Sequence, residues 1–233
     1  MKIILFSGAG MSAESGISTF RSTNGLWENH KIEEVASPEG WLKNPLNVLH
    51  FYNLRRKQII EAQPNEAHWL TKELEKLGDV TVITQNIDDL HERAGSSKVV
   101  HLHGNIRLSK STGPKQEEAY YTINDCELNL GDLCPDGYQL RPHVVWFGES
   151  VPQLDVAAQL IAQADVLIVI GTSLNVYPAA GLIHGTKRSC TKFFIDPNAE
   201  NMHLPSDYIV LPTTASEGLL ACLGILKEKS GTL

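Results

Sequence analysis

Lys2-Ile3-Ile4-Leu5-Phe6-Ser7-Gly8-Ala9-Gly10-Met11-Ser12-Ala13-Glu14-Ser15-Gly16 is the stretch that decides the fold. Residues 2–7 are a short apolar run, which reads as a buried strand. Gly8, Gly10 and Gly16 then punctuate a turn into a helix start. Glycines at such a turn let the backbone approach a pyrophosphate, and the first N–H groups of the helix can point at it. A tight strand-to-helix turn with no ligand satisfies the same letters. A hydride-transfer nucleotide site would want an acidic residue closing a second strand about 20 residues on, to hold a ribose. Residues 18–27 read Ser-Thr-Phe-Arg-Ser-Thr-Asn-Gly-Leu-Trp, a loop, so a nucleotide here is held in another way.

Further short runs at 80–84, 99–102, 166–171, 192–196 and 208–211 alternate with helical patterns at 66–77, 89–94, 153–164, 178–186 and 216–227. With 2–7 they make six strands of a parallel sheet covered by helices on both faces, a Rossmann-like α/β fold. Two segments break the rhythm. Residues 29–63 are helical, contain Trp41, Phe51 and Tyr52, and separate the first two strands by far more than one crossover, so they are expected to form a helical insert. Residues 105–141 are polar and punctuated by Gly and Pro; a small module beside the sheet is expected there, packed by Tyr120, Tyr121, Leu128, Leu130 and Leu133. The expected division is 1–28 plus 64–104 plus 142–233 for a Rossmann-like domain, against 29–63 plus 105–141 for a smaller one.

A chain of 233 residues with 42% hydrophobic content can bury a sizeable core. The net charge of -7 disfavours phosphate backbones and anionic lipids, so no nucleic-acid or membrane partner is expected, while a basic protein segment suits it. The apolar start is too short for a secretion signal and leads straight into the glycine loop. Four cysteines, Cys126, Cys134, Cys190 and Cys222, do not form a disulfide framework in a chain of this size, and a cytoplasmic location is expected.

Six stretches carry a resemblance, in order: 8–21 from Gly8 to Arg21; Gly25-Leu26-Trp27; Thr84-Gln85-Asn86-Ile87-Asp88-Asp89-Leu90-His91; His101-Leu102-His103-Gly104; Val144-Val145-Trp146-Phe147-Gly148-Glu149; and Gly171-Thr172-Ser173. Over nearly the whole chain, from 1 to 223, the sequence resembles the sirtuin (Sir2-type) family of NAD-dependent protein deacylases. The resemblance implies that Gly8, Ala9, Gly10, Ser12, Phe20 and Arg21 bind NAD, with Ala9, Ile17 and Phe20 beside the nicotinamide pocket. It implies that Gln85, Asn86 and Asp88 line the nicotinamide side, and that Gly171, Thr172 and Ser173 meet ribose and phosphates. Asp196 stands where the family usually has Asn and is expected at the adenosine ribose, as an acceptor that cannot donate. An amide and a carboxylate two residues apart at the carboxyl edge of a strand can hold a carboxamide; an Asx-turn capping the next helix is the plainer reading, and both can hold.

His103 takes the family's position for the catalytic base, with Asn86 as the second catalytic residue and His101, on the same side of the strand end, in support. The implied reaction starts when the acyl-lysine carbonyl oxygen attacks the ribose carbon bearing nicotinamide. Nicotinamide leaves and an imidate-linked intermediate forms. His103 then activates a ribose hydroxyl, and water completes release of free lysine and O-acyl-ADP-ribose. Val144, Val145, Trp146 and Phe147 resemble the substrate strand, alongside which an extended acylated peptide would add; a merely buried strand is the alternative.

Tyr52 and Arg55 are three apart on one helical face. By themselves they read as a core aromatic and a solvated charge. They resemble the Tyr and Arg of the sirtuin class (class III) that removes succinyl and malonyl groups, and Ala36 resembles the small residue of that class's roomy pocket. An Arg fork suits a dicarboxylate tail, so acidic acyl groups are expected, with acetyl also accepted. Most sirtuins carry two Cys-x-x-Cys pairs between the catalytic His and the substrate strand. This chain has only Cys126 and Cys134 in that window, short of the four ligands a structural zinc needs, so no metal and no zinc is expected. An NAD glycohydrolase or ADP-ribosyl transferase stays open as a reading, as does an inactive NAD-binding module that recruits a partner.

Overall fold

The structure, a computed structural model, describes residues 1–18, 31–124, 126–202 and 204–230. Strand β1, Lys2–Ser7, is buried from Ile3 onward because it is central: β2, Asp79–Thr84, pairs on one side and β7, Val166–Ile170, on the other, both parallel. Adding β3 (Val99–His101), β8 (Thr191–Ile195) and β9 (Tyr208–Leu211) gives a six-stranded parallel sheet in the order β3-β2-β1-β7-β8-β9. Connection order reverses about β1, and it is outside the carboxyl ends of strands at such a switch that α/β sheets bind ligands.

Alternate residues of each strand feed opposite layers. Ile3, Leu5, Val82, Ile168 and Phe193 pack with Leu70 and Leu74 of α4, Glu66–Leu74, and with Leu219 and Leu223 of α7, Ala215–Ser230. Ile4, Phe6, Leu167, Val169 and Phe194 pack on the other face with Ala157 and Ile161 of α6, Leu154–Ala162, and with Leu182 and Ile183. Each fully buried side chain of this size contributes roughly 1.5–3 kcal/mol. The helix expected at 178–186 is instead a 3-10 segment, Ala179–Gly185.

The insert folds as α1, Ile32–Val35, α2, Pro38–Lys43, and α3, Pro45–Glu61. Ser37 caps α2 by accepting from Gly40 N at 3.0 Å, Asn44 caps α3 by accepting from Asn47 N at 3.2 Å, and each helix opens on a proline whose missing N–H is no loss there. One stripe of α3, through Val48, Tyr52, Arg55 and Ile59, is buried.

Residues 105–141 are more ordered than their polarity suggested. β4 (Gly104–Ser111) lies between β5 (Tyr120–Thr122) and β6 (Leu140–Val144) in an antiparallel sheet. The strand β4 was hard to read because its buried end is Ser109-Lys110-Ser111, with Lys110 held by Glu117 at 2.5 Å. β6 runs across the expected domain boundary at 141/142, and β4 begins one residue before that at 104/105. Of the side chains expected to pack this module, Leu128 is buried with Leu49, Ile123, Cys134 and Leu140, and Tyr121 packs against them. Leu130 and Leu133 are 55% and 56% exposed and Tyr120 is largely exposed, stacked on His143, so they do not form its core. Polar bonds hold that turn instead: the Gln139 amide accepts from Gly131 N at 2.7 Å and donates to the carbonyls of Asn129 and Leu140 at 3.0 and 2.8 Å.

Candidate active site

The exits of β1 and β7 interlock. Gly8 N donates to Ile170 O at 3.0 Å and Gly10 N to Gly171 O at 2.8 Å. A Cβ on Gly10 would stand 2.7 Å from Gly171 Cα, and one on Gly171, whose φ is +61°, would stand 2.3 Å from Met11 N. These glycines therefore serve the approach of two loops to each other. Ala9–Ser15 follows as a 3-10 turn with Ser12 fully inside.

Beside that turn, the exit of β2 delivers three polar side chains. Asn86 donates through Nδ2 to Gly8 O at 3.1 Å and Ser12 Oγ at 3.2 Å. Because Gly8 O can only accept, the amide's orientation is fixed, and Oδ1 is the end not used within the cluster. Ser12 Oγ donates to Asp88 Oδ2 at 2.9 Å, and Asp88 Oδ1 accepts from Leu90 N at 3.2 Å at the start of α5, Leu90–Arg93. The Asx-turn and the site thus use the same carboxylate. Burial raises the Asp88 pKa, against the hydrogen bonds from Ser12 and Leu90. Gln85 donates to Thr172 Oγ1 at 3.1 Å, tying β2 to the exit of β7.

Gln85 and Asn86 also orient both histidines through their main-chain oxygens. His103 Nδ1 lies 2.9 Å from Gln85 O, so Nδ1 carries the proton and Nε2 keeps its lone pair. Burial lowers its pKa, keeping the ring neutral. His101 Nδ1 lies 3.0 Å from Asn86 O and Nε2 2.7 Å from Glu92 Oε1. Burial would lower the His101 pKa, but the Glu92 carboxylate outweighs it and raises it. The two rings therefore differ in character: His103 is the neutral one. Gly104, the residue after His103, presses on β6: its φ is +85° and a Cβ would stand 2.1 Å from His143 O.

Tyr52 and Arg55 lie inside the insert. Trp146 Nε1 donates to Tyr52 Oη at 3.1 Å, and burial raises the Tyr52 pKa, so its own O–H remains to donate. Arg55 is 8% exposed, not solvated as its type alone would suggest. It reaches Ser18 O at 3.3 Å and Gln58 Oε1 at 3.4 Å, while Nε has no hydrogen-bond partner among the described residues. Burial lowers its pKa, opposed by attraction to Asp88 and Tyr52. Ala36 is buried beside them and accepts from Phe147 N at 3.0 Å.

β6 ends at Val144, and the stretch beyond it is bonded to its own chain. Val145 N donates to His103 O at 2.9 Å and Trp146 N to Glu149 Oε2 at 2.8 Å. With Phe147 N on Ala36, three successive donors are engaged, so an added peptide would rely on other groups there. Sequence reasoning missed Arg141, whose guanidinium carbon sits 3.7 Å from the Trp146 ring centroid and which pairs with Glu149 at 2.8 Å. An Arg in a polar segment gave no signal of stacking.

Ser173 accepts from Asn175 at 3.4 Å, and Asp196 accepts from Asn198 N at 2.9 Å as a turn cap at the carboxyl end of β8. Phe20 and Arg21 lie outside the described residues. Cys134 is buried against Ser111 Oγ and Cys126 is exposed. Among the described residues no group of three or more His, Cys, Asp or Glu is arranged to hold a metal. Nor, among the described residues, is any helix long and apolar enough to cross a membrane.

A profile of the Sir2 family matches residues 8–178. The chain is 55% identical over 205 residues to the NAD-dependent protein deacylase of Helicobacter pylori, covering 88% of each. It is 49% identical over 220 residues to the NAD-dependent protein deacylase of Bacteroides thetaiotaomicron, covering 93% of this chain and 94% of that one. Among solved structures it superposes on a Sir2 homologue mutant in complex with ADP-ribose with a TM-score of 0.85 at 38% identity, over 100% of this chain and 94% of the other. A Sir2 homologue–NAD complex gives 0.83 at 38% identity, over 98% and 90%. With most of its length matched by the profile and its glycine loop, Asn86–Asp88 pair and oriented His103 gathered at one edge of the sheet, the chain belongs to the Sir2 family.

Proposed function

We propose that this chain, an NAD-dependent protein deacylase, removes succinyl and malonyl groups from protein lysines and accepts acetyl-lysine as well, yielding nicotinamide, free lysine and O-acyl-ADP-ribose. The observation that carries the acyl preference is Arg55. It is a buried guanidinium with one N–H unpartnered and no ion pair within 4.0 Å among the described residues. Buried cations are normally paired. A carboxylate arriving on an acyl tail supplies the missing partner, and the Tyr52 hydroxyl adds a donor.

NAD, as co-substrate, supplies a ribose carbon bearing a cationic and readily departing nicotinamide. Toward it, Asn86 Oδ1 and the Asp88 carboxylate accept from the carboxamide N–H groups, and the Gly8–Ser12 turn and Gly171–Ser173 bound the ribose and phosphate side. Phe20 and Arg21 are assigned to NAD binding with that loop, and Asp196 to the adenosine ribose. His103 Nε2 takes a proton from a ribose hydroxyl, its ring held by Gln85 O. Val144, Val145, Trp146 and Phe147 border the peptide, and Ala36 leaves room for a longer acyl chain.

The test measures nicotinamide release from NAD with succinyl-lysine peptide, acetyl-lysine peptide and no peptide. Release is expected to be fastest with the succinyl peptide. Equal release without peptide would favour a glycohydrolase or transferase, and no release at all an inactive binding module.

A further inference from the structure

Behind Asn86 runs a second line of buried polar groups. Ser7 Oγ donates to Thr84 Oγ1 at 2.9 Å, and Thr84 Oγ1 also accepts from Asn86 N at 3.0 Å. Ser7 Oγ lies 3.1 Å from His91 Nε2. Ser7, Thr84 and His91 are all essentially inaccessible.

The ring proton of His91 and the Ser7 hydroxyl share one run of hydrogen bonds whose sense follows the His91 tautomer. His91 Nδ1 has no partner among the described residues. Burial and the neighbouring His68 ring, 4.9 Å away edge to face, lower the His91 pKa. Thr84 Oγ1 accepts from Asn86 N, so the run of buried polar groups ends on the Asn86 main chain.

We propose that His91, Ser7 and Thr84 are positioning residues that fix the backbone at Asn86, so that its Oδ1 addresses the nicotinamide carboxamide at a set angle. This rests on the reading of Asn86 as a nicotinamide-side residue. The hydroxyl of Thr84 acts on a main-chain N–H, so its loss shifts Asn86 without removing any group that touches NAD. Nicotinamide cleavage and its reversal by free nicotinamide both pass through that angle, whereas the later proton transfer to His103 does not. Loss of the chain should therefore slow nicotinamide departure and exchange.

Two substitutions at one position separate positioning from packing. Thr84→Val keeps the volume and removes the hydroxyl; Thr84→Ser removes a methyl and keeps it. Thr71→Val serves as control, since Thr71 is as deeply buried and its hydroxyl bonds Ala67 O at 2.8 Å within α4 rather than any group of the site. Melting temperature, kcat, KM for NAD and exchange of labelled nicotinamide are measured on each full-length chain. Thr84→Val is expected to lose at least tenfold in kcat and in exchange, with Thr84→Ser restored to within threefold despite a lower melting temperature. Ser7→Ala, which deletes one oxygen, repeats the reading should Thr84→Val not fold. The proposal is overturned if kcat follows melting temperature across all four variants, or if Thr84→Val and Ser7→Ala exchange nicotinamide at the parental rate. Asn86→Ala is run beside them: if it leaves exchange intact, the nicotinamide-side reading of Asn86 fails, a result distinct from either.

Discussion

Replacing Arg55 by Met puts a chain of similar length and no charge into the same buried slot. A charge-assisted hydrogen bond contributes about 1.5–3 kcal/mol net, and a two-pronged Arg–carboxylate contact lies at the upper end. Losing about 3 kcal/mol lowers kcat/KM for a succinyl-lysine peptide roughly a hundredfold. Acetyl-lysine brings no carboxylate. Its loss is limited to a few fold, because Arg55 also attracts the buried Asp88 carboxylate and that attraction disappears for both substrates. The diagnostic is therefore the ratio of the two kcat/KM values, measured as nicotinamide release at saturating NAD. Stability should move in the other direction. Burial already lowers the Arg55 pKa and no carboxylate is bonded to it among the described residues, so removing the charge leaves folding stability unchanged or raises it by about 1 kcal/mol. Equal losses with both peptides, or a melting temperature several degrees lower, would refute a site that holds its cation for an incoming anion.

Three other outcomes follow from the same geometry. Burial lowers the His103 pKa, so the acid limb of kcat/KM should centre below pH 6.5, and His103→Tyr should abolish both acyl activities at every pH. His68 is pushed down by burial to about 4 from 6.5, so the unfolded chain binds its proton first and stability is lost as pH falls between those values; the unfolding free energy from denaturant titrations should drop by about 3 kcal/mol at pH 4 from this group, and a flat profile would contradict it. Gln139→Leu should destabilise the 129–140 turn by about 1–3 kcal/mol, seen as faster amide exchange there, while elemental analysis of the parent protein finds zinc well below one per chain.

The sheet was legible because its strands are apolar on both faces, and β1, β2 and β7 begin within a residue of where their runs begin. The small antiparallel sheet was not, because β4 buries Ser109, Lys110 and Ser111 and pairs them with partners that no period announces. At the site, His103 and Asn86 could be named from their motifs, but their tautomer and amide orientation come from carbonyls contributed by Gln85 and Gly8. Arg55 could be named and its burial could not, since a helical stripe cannot reveal what covers it. Arg141 carried no signal, and His91 stood only as the end of a motif; its contact with Ser7 joins residues 84 apart in sequence.

The seam between β1 and β7 has a consequence for the order in which the protein can be made. Ser7 pairs with Ile170, and the glycine turn closes only when Gly171 reaches it. Those partners are separated by about 160 residues, which a ribosome adds in roughly 8 to 30 s at ordinary speeds. Throughout that interval the glycine turn has β2 and Asn86 on one side and lacks its β7 partner on the other. The β7 edge of β1 therefore stays unpaired until nearly three quarters of the sequence has been made. Until then that edge offers unpaired N–H and C=O groups to which a strand of another chain could add.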